Sequence, residues 1–223
     1  MSRAKLASMI DHAVLRPDST ADEVTKACKI AIDLGLAAVV VNPAYVPTVV
    51  NGLKGSTVKA CSVISFPFGL STTDVKLAET RNVLSLGAEE VDMVMNFSAL
   101  RSNREDYVLN EIRSITSLAR TVKKNAIVKV ILETCYLNEA QKRQACLLAV
   151  KGGADFVKTS TGFGSAGATV EDVRLLKQSV SLETRVKAAG GIRTLDQALQ
   201  MIEAGADRIG TSSSVSILEN LPR

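Results

Sequence analysis

Eight short apolar runs, rich in Val and Ile, recur along the chain and are separated by longer amphipathic stretches. The runs are residues 8–14 (SMIDHAV), 37–42 (AAVVVN), 58–66 (VKACSVISF), 90–96 (EVDMVMN), 127–133 (IVKVILE), 155–160 (DFVKTS), 185–189 (RVKAA) and 207–211 (DRIGT). Most lack clean alternation, which predicts strands covered on both faces rather than strands with one wet side. Between them the spacing predicts helices. Thr20-Ala21-Asp22-Glu23 resembles a capping box ahead of VTKACKIAIDLG. Thr73-Asp74 opens a helix through Leu86, and the stretch from Asn103 to Lys124 carries Val108, Ile112, Ile115 and Leu118 at helical spacing. Asn138, Thr169 and Thr194 stand as N-caps of three more helices.

A weak internal repeat supports the same reading. Gly35, Gly87, Gly153 and Gly205 each end a helical pattern just before an apolar run, at intervals of 52, 66 and 52 residues. Each interval spans about one βαβα quarter. Strict alternation over eight strands predicts a single closed (β/α)8 barrel, a TIM barrel, occupying residues 1–223 as one domain, with a doubly wound open sheet as the runner-up.

Composition narrows the function classes. The chain is 46% hydrophobic with no Trp and 4% aromatic residues, so the core is built from Val, Ile, Leu and Ala. The net charge of +4 comes without a Lys/Arg run or interleaved aromatics, which argues against nucleic acid and suits an anionic small molecule. Cys28, Cys61, Cys135 and Cys146 form no C-x-x-C pair, and the single histidine, His12, leaves too few ligands for a zinc site. Free, packed thiols in a reducing compartment are the expectation. Residues 1–10 lack the apolar run of a signal peptide, and no stretch reaches the roughly 18 apolar residues that span a bilayer. A cytoplasmic protein with no membrane partner follows as an expectation.

The candidate chemistry centres on DFVKTSTGFG, from Asp155 to Gly164. A lysine within a strand is costly to bury unpaired, and the hydroxyls and glycines after Lys158 suit the C-terminal mouth of a parallel strand. Lys129, Lys158 and Lys187 are each 29 residues apart, one strand–helix–strand interval. If the strands are neighbours, the three amines lie at similar heights. Clustered ammonium groups lower one another's pKa, and a neutral lysine is a nucleophile. The alternative for each lysine is that it snorkels to solvent at a strand end.

Other polar groups collect at the predicted strand ends. Asp92 lies amid Val and Met, either as a salt-bridge partner or as a proton-transfer group, and pairing with Lys129 is expected. His12 reads as a structural histidine. Ala189-Gly190-Gly191-Ile192-Arg193-Thr194 and Gly210-Thr211-Ser212-Ser213-Ser214 are glycine and hydroxyl turns feeding helix N-termini, the usual anion cradle after the last two strands of such a barrel. Ordinary capped turns are the other reading. Neither is a P-loop, so no nucleotide is implied.

Taken together, VDMVMN, KVILET, GADFVKTSTGF, VKAAGGIRT and AGADRIGTSS, with IDHAVLRPD near the start, closely resemble the deoxyribose-phosphate aldolase family, in order from Ile10 to about Ser213. The resemblance implies a class I aldolase without metal or other cofactor, reversibly cleaving 2-deoxy-D-ribose 5-phosphate to D-glyceraldehyde 3-phosphate and acetaldehyde. By motif match, Lys158 is the Schiff-base lysine, Lys187 the second lysine that tunes it and relays protons, and Asp92 the acid/base carboxylate. The implied phosphate site is Gly162, Gly190, Gly191, Ile192, Arg193, Gly210, Ser212 and Ser213, with Lys129 and Thr161 in support, and a homodimer is the default assembly. Ala13 replaces a Thr common in the family, and Ser65-Phe66-Pro67 replaces the usual GFP, which leaves substrate preference more open than reaction type. The end at Pro222-Arg223 implies that the longer mobile tail of some members is lacking. The competing readings are another phosphosugar barrel enzyme, whether an isomerase, an epimerase or a different Schiff-base aldolase, and a non-catalytic phosphosugar-binding protein. A single His argues against the epimerases, which generally use histidines to hold a metal, and the three lysines argue against a mere binder.

Overall fold

The structure is a computed structural model and describes residues 1–221. Pro222 and Arg223, on which the expected lack of a tail rests, lie outside the described residues. Eight strands, β1 (Ile10–Val14), β2 (Ala38–Val41), β3 (Lys59–Ile64), β4 (Glu90–Val94), β5 (Ile127–Ile131), β6 (Phe156–Lys158), β7 (Arg185–Ala189) and β8 (Arg208–Thr211), pair in parallel and in sequence order into a closed barrel. The helices are α1 (Arg3–Ala7), α2 (Ala21–Leu34), α3 (Val46–Gly52), α4 (Thr73–Ser85), α5 (Phe97–Arg101), α6 (Glu105–Val122), α7 (Glu139–Lys151), α8 (Val170–Ser179), α9 (Leu195–Glu203) and α10 (Ser214–Glu219). The open-sheet alternative is therefore excluded: β8 closes on β1 through Asp11↔Gly210 and His12↔Thr211. Among the described residues, no helix is long and apolar enough to cross a membrane.

All eight expected strands form; β7 matches its run, 185–189, and the other seven are shorter than theirs. The first begins at Ile10 rather than Ser8 because Ser8 closes α1. The third ends at Ile64 because Ser65 turns to φ +52°. Capping boxes fix the starts of α2 (Thr20 with Glu23), α7 (Asn138 with Gln141) and α9 (Thr194 with Gln197). Gly35, Gly87, Gly153 and Gly205 all take positive φ, which turns each chain out of its helix and into the next strand.

Two apolar cores result. The larger lies between strands and helices, where Val39, Val91, Val128, Val157 and Ile209 are fully covered, each contributing roughly 1.5–3 kcal/mol. The smaller lies inside the barrel and is confined to β2 and β3, as Ala38, Val40, Cys61 and Val63, with Leu15 and Phe66 above. The opposite half of the interior is charged.

Behind β4, α4 and α6 share a buried ion pair that the sequence reading did not anticipate. Lys76 Nζ lies 2.8 Å from Glu111 Oε1 and donates to the Val94 carbonyl at 2.8 Å. Glu111 also accepts the Asn96 amide at 3.0 Å, and Glu79 accepts the Ser65 amide at 2.6 Å. These helices thereby tie down the first turns after β3 and β4, at the C-terminal face. Removing one partner strands the other in the core, so Lys76→Met is expected to cost about 3–5 kcal/mol. Urea unfolding should show a lowered midpoint for Lys76→Met and partial recovery in Lys76→Met/Glu111→Leu. A single variant as stable as wild type would contradict the pair's importance.

Candidate active site

Interior side chains of a barrel alternate along each strand, so residues two apart stack in layers. Register assigns the layers. Lys158 pairs with Lys187, but Lys129 pairs with Phe156, two residues below Lys158. The expectation of three amines at one height is corrected accordingly. Equal spacing in sequence does not survive the stagger between successive strands, and Lys129 lies one layer deeper.

The amines nevertheless meet at one carboxylate. Asp92, fully buried on β4, receives Lys129 Nζ on Oδ1 at 2.8 Å and both Lys158 and Lys187 Nζ on Oδ2 at 2.8 Å. The expected Asp92–Lys129 pair is present, and Asp92 serves Lys187 as well. Lys187 is held between two carboxylates, with Asp11 Oδ2 at 2.5 Å on its other side. Asp11 also accepts from the Arg208 guanidinium at 2.6 Å, and Glu90 Oε2 lies 2.5 Å from Lys129 Nζ. Cys61, expected simply to pack, sits in the charged cluster with Sγ 3.4 Å from Lys129 Nζ and 3.3 Å from Asp92 Oδ1. Phe156 lies in the same layer as Lys129, with the Arg208 guanidinium 5.5 Å from its ring centroid.

These contacts set the protonation states. Burial would raise the Asp92 carboxyl, but Lys129, Lys158 and Lys187 outweigh it and hold the group well below the usual carboxylate range. Burial would likewise raise Asp11, and Lys187, Lys129 and Arg208 reverse it. Burial would lower Lys187, and Asp11 with Asp92 turns the shift upward, so it is an ammonium. Lys129 behaves the same way, against Asp92, Cys61 and Glu90. Lys158 differs. Burial lowers it, Asp92 opposes, and the neighbouring Lys187 cation adds to the lowering, so its amine is held below the usual lysine range. The one lysine of the three that gives up its proton more readily, Lys158, meets the cavity.

That cavity, about 390 Å³, opens above the cluster at the C-terminal ends of the strands. Lys158, Lys187, Thr161, Gly162, Gly190, Gly191, Ile192, Arg193, Gly210 and Ser212 line it, whereas Asp92 and Lys129 lie beneath and Ser213 is not in the wall. Ala13, Leu15 and Val40 form the facing apolar side, and Arg16 stands at the rim, bonded to Asp18. Gly210 makes room for Lys187, since a Cβ there would fall 3.0 Å from Lys187 Cε and 2.9 Å from Ala189 Cβ. Thr161 is pinned by Glu133, which accepts its amide at 3.1 Å and its hydroxyl; burial raises the Glu133 carboxyl. His12 bonds Ser214 Oγ at 2.7 Å on the other side of its strand, and burial keeps it neutral, the structural role expected.

The anion cradle differs in detail from the expectation. The capping box of α9 already occupies the amides of Arg193 and Thr194, which donate to Gln197 Oε1 at 2.9 and 3.2 Å. The Ser213 amide donates to Thr211 Oγ1 at 2.9 Å. Available donors therefore lie just before the helix starts, at Gly190, Gly191, Ile192 and Ser212. Gly190 and Gly191 run consecutively at φ +94° and +80°, a turn that directs successive N–H groups into one concavity. Among the described residues, no cluster of His, Cys, Asp and Glu is arranged to hold a metal ion.

Sequence reasoning placed Asp11 at a polar strand end without giving it a partner, and missed Glu90 and Arg208 as parts of this site. The available signal was parity. Each stands two residues before a group that faces the barrel interior: Ala13, Asp92 and Gly210.

Comparison with known proteins places this barrel. A deoxyribose-phosphate aldolase of Dictyoglomus turgidum is 50% identical over 221 residues, 99% of both chains. One of Thermococcus gammatolerans is 53% identical over 216 residues, covering 96% of this chain and 95% of that one. The tetrameric deoxyribose phosphate aldolase of Aeropyrum pernix superposes with a TM-score of 0.91 at 37% identity, over 98% of this chain and 91% of the other. The family described as DeoC/LacD family aldolase matches residues 5–219. With nearly its whole length accounted for in sequence and in fold, the chain belongs to the DeoC/LacD aldolase family.

Proposed function

We propose that the protein is a class I aldolase that reversibly cleaves 2-deoxy-D-ribose 5-phosphate to D-glyceraldehyde 3-phosphate and acetaldehyde. The observation that carries the mechanism is a single lysine of lowered proton affinity, Lys158, at the floor of a cavity and level with a lysine held as an ammonium, Lys187. An ordinary lysine amine, with a pKa of about 10.4, is neutral in roughly one molecule in two thousand at pH 7, and each unit of lowering multiplies that fraction about tenfold.

In this reading the neutral Lys158 Nζ attacks the C1 aldehyde of the open-chain sugar. The carbinolamine loses water and leaves a protonated imine. Removal of the C3 hydroxyl proton then breaks C2–C3, the bonding pair moves into the imine as an enamine, and D-glyceraldehyde 3-phosphate departs. Protonation of the enamine at C2 and hydrolysis release acetaldehyde and regenerate the amine. Asp92 and Lys187 share a hydrogen bond and both touch the Lys158 side of the cluster, which suits them to pass protons between imine, enamine and solvent. Gly162, Gly190, Gly191, Ile192, Gly210 and Ser212 would hold the phosphate, mainly through backbone N–H groups, with Arg193 contributing its exposed side chain. Thr161 and Lys129 support the site from the side and from below. The apolar facing wall of Ala13 and Val40 suits the unsubstituted C2 of a deoxy sugar.

Four free cysteines fit a cytoplasmic setting. The exposed Phe68, Leu70 and Val75 around the β3–α4 turn support self-association as a homodimer.

Borohydride reduction in the presence of acetaldehyde should add one two-carbon unit, located by peptide mass spectrometry at Lys158. A label that persists in Lys158→Ala would remove the assignment. For the phosphate cradle, Ser212→Asp places a carboxylate against the bound anion. KM for the phosphorylated sugar should rise at least tenfold more than KM for free deoxyribose, and equal effects on the two substrates would argue against this placement.

A further inference from the structure

The ion pairs inside the barrel form a closed set. Its anions are Asp11, Glu90 and Asp92, and its cations other than Lys158 are Lys129, Lys187 and Arg208. Three carboxylates thus face three cations, and every contact within 4 Å stays inside the set. Lys158 is a fourth basic group, and among the described residues its only ion-pair contact is with Asp92 Oδ2, an oxygen that Lys187 also occupies. Asp11, Glu90, Asp92, Lys129, Lys158 and Lys187 are nearly or wholly removed from water and Arg208 keeps only 12% of its side chain exposed, so an uncompensated charge among them is costly. Charge therefore balances when Lys158 is the uncharged member.

We propose that Glu90 and Arg208, neither of which lines the cavity, are positioning residues that fix this balance and so make Lys158 the nucleophile. The inference rests on the imine-forming role read above for Lys158. Arg208 acts through Asp11, at 2.6 Å, and Asp11 in turn holds Lys187. Glu90 acts through Lys129, at 2.5 Å, and Lys129 holds Asp92. Both are anchored at the base of the barrel, where Arg208 lies 5.5 Å from the centre of the Phe156 ring.

The other groups facing Lys158 leave this count unchanged. β2 contributes only Ala38 and Val40 to the interior. On β3, Cys61 is a thiol whose burial raises it away from ionisation. After β5, buried Glu133 accepts the Thr161 amide and hydroxyl and feels the Lys158 charge, but burial outweighs this and raises its carboxyl, and it makes no ion pair within 4 Å among the described residues. On β1, His12 turns away to Ser214 and Arg16 is neutralised at the rim by Asp18. At the start of β7, Arg185 stacks on Phe156, 4.0 Å from its centroid.

Charge balance gives the two residues opposite signs. Arg208→Met leaves the set with an excess anion, which a proton on Lys158 would neutralise. Glu90→Gln leaves an excess cation, which expels that proton more strongly. The test is the pH midpoint of imine formation, measured by borohydride trapping with acetaldehyde, in wild type, Arg208→Met, Arg208→Lys and Glu90→Gln. Arg208→Met should move the midpoint to higher pH and Glu90→Gln to lower pH, each by on the order of one unit. Arg208→Lys should stay near wild type. Glu90→Gln is nearly isosteric and keeps the sign test available if Arg208→Met fails to fold. Midpoints that do not move, or that move in the same direction, would overturn the inference while leaving the imine intact. Wild-type enzyme without label at Lys158 would instead overturn the underlying role.

Discussion

Three lysines on one buried aspartate create the constraint on which the rest of this site depends. Asp92 carries a single charge, and Lys129, Lys158 and Lys187 all approach it within 2.8 Å. A buried ammonium without a counter-charge costs several kcal/mol, so the amines cannot share Asp92 on equal terms. Asp11 and Glu90 supply the missing anions to Lys187 and Lys129 but make no ion pair with Lys158. The proton is least stable on Lys158, whose side chain meets the cavity.

The barrel makes this arrangement possible. Closing eight strands pairs β1 with β8, itself next to β7, so Asp11 and Arg208, 197 residues apart, become direct partners. The interior divides between an apolar half on β2 and β3 and a charged half on β4 to β8 and β1. Phe156 is wholly buried below the cluster, and the cavity lies at the C-terminal mouth, where glycines bring the backbone to the wall. Outside, the buried Lys76–Glu111 pair and Glu79 hold the turns after β3 and β4, which stiffens the rim opposite the anion cradle.

Much of this was legible from residue order. Val- and Ile-rich runs marked all eight strands, and Ser/Thr/Asn caps and four glycines marked the helix ends, because these signals are local. Lys158 and Lys187 stood out because ammonium groups are rare in such runs. Register was not legible. The stagger that puts Lys129 a layer below Lys158 depends on pairing across strands, and so does the sharing of Asp92. Gln197 belongs to a local capping box, yet its consequence, the loss of the Arg193 and Thr194 amides as anion donors, requires seeing which N–H groups it takes. Nothing in the sequence reading singled out Lys76, although Lys76, Thr80 and Val83 recur at helical spacing on a face that is wholly buried.

The central claim is that the unliganded site holds one neutral amine, and which one. Isotope-edited NMR of the lysine side chains as a function of pH reports each amine separately. The account predicts that Lys158 titrates below an ordinary lysine while Lys129 and Lys187 remain ammonium ions through the alkaline range. Lys158 titrating together with or above Lys187 would contradict it.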